Sequence, residues 1–198
     1  MARPFRQQID EGILDRAAAL FARRGFAKTS VQDIADAVGL SKAGLLHHYP
    51  SKDALREAVL AQSGALTERA LQQVAAMPPG PHRDRRAVEA LVDLALAQPG
   101  TVAFLLGAAT AQDDEHPELD SAAAASAPVF QMFGVDADAD PERLIRVIGA
   151  TAALGVLALA AHRAGETAAW RSYVIDTSFD ALGHPPAALS SRTDQVEA

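Results

Sequence analysis

Apolar residues near the start of the chain recur every three or four positions. Ile9, Ile13, Leu14, Ala17, Leu20 and Phe21 share one side of a helix, which predicts an amphipathic element of about 18 residues. Gly25 ends it, and Arg23 and Arg24 occupy the last turn, where the helix dipole favours cations. Two shorter helices follow in TSVQDIADAVGLSKAGLLHHY. Thr29 with Gln32, and Ser30 with Asp33, each fit a capping box, and Gly39 can take the left-handed conformation that stops this helix. Ser41 caps the next helix and Pro50 closes it. Ser51 caps a fourth, from about Lys52 towards Met77, and PPGPHRD breaks the chain after it.

Residues 85–98 and 101–112 read as helices separated by Pro99-Gly100, and an alanine-rich segment at 118–133 as a further one. Asp140-Pro141 opens a long apolar helix that reaches about Ala164. Gly165 separates it from a last helix at about 166–182. No segment alternates in the manner of a strand, and no internal repeat is present. The predicted fold class is all-α, with about nine helices. The expected division is a small N-terminal unit at 1–52, a larger helical body at 53–184, and a Pro/Ala/Ser-rich disordered tail at 185–198.

Two short helices joined by a glycine turn form a helix-turn-helix signal. Ala35 and Gly39 are small where the helices must cross, and Ile34, Val38, Leu40 and Leu45 pin the pair onto the first helix. Such a crossing leaves the second helix projecting outward, able to enter a major groove. The competing reading is an ordinary helical hairpin.

Charge sharpens this picture. Residues 1–60 carry nine Lys/Arg and seven Asp/Glu, a net of +2; residues 61–198 carry nine and eighteen, a net of -9. All three lysines, Lys28, Lys42 and Lys52, fall within 25 residues. A basic end on an acidic body is the asymmetry expected when one end meets a polyanion. With no cysteine there is no disulfide, thiol nucleophile or zinc–thiolate site. No signal-peptide pattern opens the chain, and the longest uncharged apolar stretch, Val147 to Ala161, has 15 residues, short of the roughly 18 of a membrane span. A cytoplasmic location with no membrane partner is expected.

The segment ILDRAAALFARRGFAKTSVQDIADAVGLSKAGLLHHYPSKDAL resembles the DNA-binding domain of the tetracycline-repressor (TetR) family of bacterial regulators, over residues 6–56. The rest resembles the family only in being a helical body of suitable length. The resemblance implies a homodimer on a near-palindromic double-stranded operator, usually repressing until a small molecule binds the body. It places Lys42, Ala43, Gly44 and His47 against bases, and Thr29, Ser41, His48, Tyr49 and Lys52 near phosphates. Ser30 and Leu46 complete the expected DNA-binding set. Chemistry agrees: Lys42 can reach guanine acceptors, whereas hydroxyls and Lys52 at helix starts suit phosphates, which fix register without reading sequence. Leu46 departs from the family pattern, standing where a DNA-contacting tyrosine is frequent. An apolar contact to a thymine methyl would replace that hydroxyl.

The resemblance also implies that the last two helices meet their counterparts in a twin subunit, with Leu154, Leu157, Trp170 and Tyr173 as interface candidates. Gly149, Ala153 and Gly155 are small enough for close helix approach. Phe104, Leu105, Phe130, Met132 and Phe133, with His162 as polar handle, are candidates to line an effector pocket suited to an apolar or aromatic ligand; plain core packing is the competing reading.

No catalytic constellation, cofactor loop or metal site emerges. His47 and His48 diverge by about 100° on a helix and poorly grip one ion. DADADPE lacks the glycine and glutamate of a calcium loop, and Asp140 reads better as a cap. DDEH at 113–116 reads as a solvated loop. Two rival classes are an enzyme with an incidental helix-turn-helix and a DNA-bridging protein without sequence preference.

Overall fold

The computed structural model describes residues 3–110, 127–136 and 139–184. Its helices are α1 (Arg3–Arg24), α2 (Val31–Val38), α3 (Lys42–His48), α4 (Lys52–Val74), α5 (Pro81–Ala97), α6 (Pro99–Thr110), α7 (127–132), α8 (Pro141–Ala164) and α9 (Thr167–Ala181). Among the described residues there is no strand. Residues 113–116, most of the alanine-rich segment and the tail at 185–198 lie outside the described residues.

Boundaries set by caps fall where the sequence places them. Ser30, Ser41, Ser51 and Asp140 each accept a backbone N–H three residues on, and Gly39 and Gly165 end their helices at φ 71° and 73°. Two boundaries differ. The break over PPGPHRD is shorter than expected, because Pro81 is already the first residue of α5, where a missing N–H costs nothing. Pro99 and Gly100 do not separate two helices; they are the first turn of α6, which leaves α5 at an angle of 106° around Gln98.

Two hydrophobic clusters organise the chain. The first joins Ile13, Leu14, Ala17 and Phe21 of α1 to Ile34 and Ala35 of α2, Leu45 of α3, Leu55 and Val59 of α4, and Phe104 of α6. The second joins Ala70 and Val74 of α4 to Val88 and Val92 of α5, Met132 of α7, Val147 and Ala158 of α8, and Val174 and Ile175 of α9. α4 therefore lies in both, and residue 52, the expected end of the N-terminal unit, is its first residue.

The contact of α6 with α1 is close. Gly100 sits so near the backbone carbonyl of Asp15 that a Cβ would overlap it, and the Asp15 carboxylate accepts the N–H of Thr101 at 2.8 Å. An acid from α1 thus caps α6 and complements its dipole. On the other side of α6, a Cβ at Gly155 of α8 would stand 3.0 Å from Leu106, so this glycine sets the α6–α8 approach. Gly149 has open space instead and is exposed.

At the far end of the body, buried Asp84 of α5 pairs with Arg143 of α8 at 2.6 Å. Arg143 also donates to the Phe133 carbonyl. His184 Nε2 lies 2.8 Å from Asp84 Oδ2, out of hydrogen-bond alignment, with its ring stacked on Phe179.

By length and composition alone α8 is apolar enough to cross a membrane. The uncharged run of 15 residues understated this, since the helix extends beyond it on both sides. One side of α8, carrying Val147, Ala150, Leu154 and Ala158, is buried against its own chain. The other carries Ile145 (68% exposed), Ile148 (47%) and Val156 (55%), and Trp170 (37%) and Tyr173 (70%) of α9 are exposed as well.

Candidate nucleic-acid interface

The turn from α1 into α2 begins at Gly25, with φ 80°. Thr29 is 1% exposed, and its hydroxyl donates to the Gly25 carbonyl at 2.9 Å. This corrects the expected phosphate contact: Thr29 ties the turn from inside. Ser30 is exposed and forms a full capping box, its hydroxyl accepting the Asp33 N–H at 3.1 Å and its own N–H donating to Asp33 at 2.9 Å. Arg24 adds an ion pair to Asp33 at 2.8 Å.

The Ser30 hydroxyl, the Ser30 N–H and then Arg24 hold the Asp33 carboxyl down at about 2. A depressed carboxyl stabilises above its unfolded value and loses that contribution as pH falls through the folded one. The hold on α2 is therefore complete above about pH 4 and lost towards pH 2. NMR titration of the Asp33 carboxyl should show this low midpoint; an ordinary aspartate midpoint near 4 would mean the box does not form in solution.

Gly39 turns the chain, and Leu40 donates back to the Ala35 carbonyl at 2.9 Å. Ile34, Ala35 and Leu45 are each 0% exposed, so the α2–α3 pair is locked to α1 by one buried face. The opposite face of α3 is left outward. Ser41, Lys42, Ala43, His47 and His48 are exposed, and Gly44 and Leu46 are half-buried. A Cβ at Gly44 would press to 3.1 Å on the Ser41 hydroxyl that caps α3, so the glycine protects the cap. The His47 and His48 rings meet edge to face at 5.7 Å. No acid lies on α3, and Lys28 and Lys42 have no ion-pair partner among the described residues.

Tyr49 ends α3, its N–H donating to Leu45 and its ring packing on the first cluster. Burial, and secondarily the charge of Asp10, push its hydroxyl above the usual tyrosine value, so it keeps its proton as a donor. Lys52 corrects another expectation in part. Its ammonium donates to the Phe26 carbonyl at 2.8 Å and sits 4.3 Å over the Phe26 ring, so one of its three donors is committed inside the chain. The α1–α2 turn is thereby pinned to the start of α4, with Arg56 stacked on the same ring. Sequence periodicity gave no sign of this cation–π pairing.

The other candidates do not converge. Phe104 belongs to the first cluster, its ring 6.1 Å from Phe21, whereas Met132 and Phe133 are buried in the second with Phe130 packed against them. Leu105 is half-buried. His162 is exposed in the last turn of α8 and cannot be a polar handle inside the body. Leu154 is 6% exposed and faces its own core, and Leu157 is partly buried against that core, whereas Trp170 and Tyr173 are exposed.

Residues 13–59 match the family model for bacterial regulatory proteins of the tetR family. The chain is 48% identical over 48 residues to the HTH-type transcriptional repressor KstR2 of Rhodococcus jostii, which covers 24% of each chain. It thus spans about a quarter of the length of the curated relatives it matches. The fold extends further. The TetR family regulator PfmR from Thermus thermophilus superposes with a TM-score of 0.58 at 22% identity, over 89% of this chain and 96% of that one. AibR, solved in complex with isovaleryl coenzyme A and operator DNA, superposes at 0.53 and 22% identity, over 86% and 96%. Over residues 13–59 the chain matches the tetR family of bacterial regulatory proteins, and over most of its length it has the fold of solved regulators of that family.

Proposed function

We propose that the protein is a ligand-responsive transcription regulator, a repressor, acting in the cytoplasm as a homodimer on a near-palindromic operator. The observation that carries this reading is the outward face of α3. It is the second helix of a rigid helix-turn-helix, acid-free, with Lys42, Ala43, His47 and His48 exposed on a chain that is otherwise acidic. Lys42 and His47 supply base contacts, Leu46 an apolar contact, and Ser30, Ser41, His48, Tyr49 and Lys52 the backbone contacts. AibR, of the same fold, was solved on operator DNA.

Dimerisation accounts for α8. A helix apolar all round is buried on all sides, and here only one side is covered by its own chain. A second copy placing its α8 and α9 on Ile145, Ile148, Val156, Trp170 and Tyr173 would cover the other. This favours an aqueous dimer over a membrane span. Ile148→Asp should raise the dimer dissociation constant about 10–100-fold, read by sedimentation. An unchanged association state would count against this face.

α6 supplies the route for a ligand response. It touches α1 through Gly100 and Thr101 and α8 through Leu106, so a displacement in the body reaches the DNA-binding helices. The ligand favours an arrangement in which the two copies of α3 no longer match successive grooves, about 34–36 Å apart.

Selecting bound fragments from a random DNA pool tests the reading. Recovery of an inverted repeat with half-sites one turn apart is expected. Binding without sequence preference would favour a DNA-bridging protein instead, and no DNA binding would remove the proposal.

A further inference from the structure

Between the two clusters the inward side of α4 becomes polar. Leu55 and Val59 serve the first cluster and Ala70 and Val74 the second, while the buried positions between them are Ser63 and Thr67. Thr67 satisfies itself, its hydroxyl donating to the Ser63 carbonyl at 3.0 Å. Gln62, beside Ser63, does not: its amide nitrogen and amide oxygen are both shut off from solvent, and neither has a hydrogen-bond partner. At the α5–α6 bend the Gln98 side-chain oxygen is in the same condition.

An orphaned carboxamide is costly, because water has been removed from a strong donor and acceptor with nothing in exchange. Packing alone would be better served by leucine, of similar size and with no polar atoms. A group of this kind is expected where its partner comes from outside the chain.

We infer that Gln62 is the polar anchor of the effector site, and that the effector presents a neutral donor and acceptor side by side, as a carboxamide does. This rests on the reading of the body as an effector-binding module. The geometry of an amide allows one N–H to be donated while the oxygen accepts another, which a second amide returns in kind. α4 offers a charged effector no counter-charge. Its buried positions are Leu55, Val59, Ser63, Thr67, Ala70 and Val74, none of them ionisable. A carboxylate or ammonium drawn against this helix would need compensation from elsewhere, whereas a neutral amide needs none.

The test is thermal unfolding of the full chain with propionamide or benzamide, and with propionate or benzoate, each at about 20 mM, for wild type and Gln62→Leu. Gln62→Leu alone should raise Tm by about 2–8 °C, since the orphaned atoms disappear. The amides should raise the wild-type Tm by about 2 °C or more, the acids should not, and Gln62→Leu should abolish the amide shift. Gln62→Met, unbranched and of the same reach, repeats the comparison should leucine pack poorly. A Tm lowered by both variants, no shift with either amide, an equal shift with the acids, or a shift retained in the variants would each overturn the inference. A gel shift on selected operator, run in parallel, separates the two levels. Intact operator binding with no amide effect sinks the anchor alone, whereas absent operator binding sinks the regulator reading.

Discussion

Gly100→Ala should lower Tm by about 5–15 °C, the reverse of what glycine-to-alanine exchange does within most helices. That exchange ordinarily stabilises by about 1 kcal/mol, because alanine is the better helix former. At Gly100 the new Cβ would overlap the Asp15 carbonyl, with the Ala19 Cβ also 3.0 Å away. A backbone carbonyl inside a helix has no rotamer to change, so α1 and α6 would have to part. Their separation would stretch the 2.8 Å bond from Thr101 to Asp15 and open the Phe21–Phe104 contact at 6.1 Å. Overpacking of this kind costs about 2–4 kcal/mol, and a chain of this size loses about 2–4 °C per kcal/mol. A Tm at or above that of wild type would show that the two helices are not in backbone contact in solution.

The other large effect is expected on DNA. Lys42→Ala combined with His47→Ala should weaken binding to the selected operator by at least about 100-fold, since each good base contact is worth about 1–3 kcal/mol. Both side chains are exposed, so Tm and dimerisation should hold. Sequence preference and salt separate these two from the backbone contacts. Losing either base-reading side chain relaxes preference at one position, whereas losing a phosphate-neutralising cation such as Lys52 weakens all sequences alike and lowers the slope of log K against log salt by about 1 per subunit. Equal gel shifts for wild type and the double variant would refute the assignment of α3 as the reading helix.

The legible parts of the molecule were the local ones. A cap involves residues three apart, so Ser30, Ser41, Ser51 and Asp140 announced their helices, and the left-handed turns at Gly39 and Gly165 stood where glycine allowed them. The face of α3 followed from these local signals together with the family resemblance. Contacts between distant residues left no periodic trace. Asp15 capping Thr101 spans 86 positions, and Lys52 reaches back 26 to Phe26. α8 misled for a different reason. It is apolar on both sides, so its pattern carries no direction, and Leu154 turned out to face inward while Ile148 faces out. Thr29 looked like a surface hydroxyl because threonine serves equally well at a buried turn.

The sharing of α4 between the two clusters, and the seat of α6 in the first through Phe104, bear on how this architecture can be recombined. Residues 1–52 would leave behind Leu55, Val59 and Phe104, the pieces that seal the cluster around Phe21. A DNA reader cut at that point and grafted onto another body would therefore need a host whose own sixth helix offers both a glycine for Asp15 to rest on and an aromatic ring to fill the gap. Exchange of specificity between such proteins is constrained less by the reading helix, whose outer face is free to vary, than by the fit of a helix some 50 residues further along.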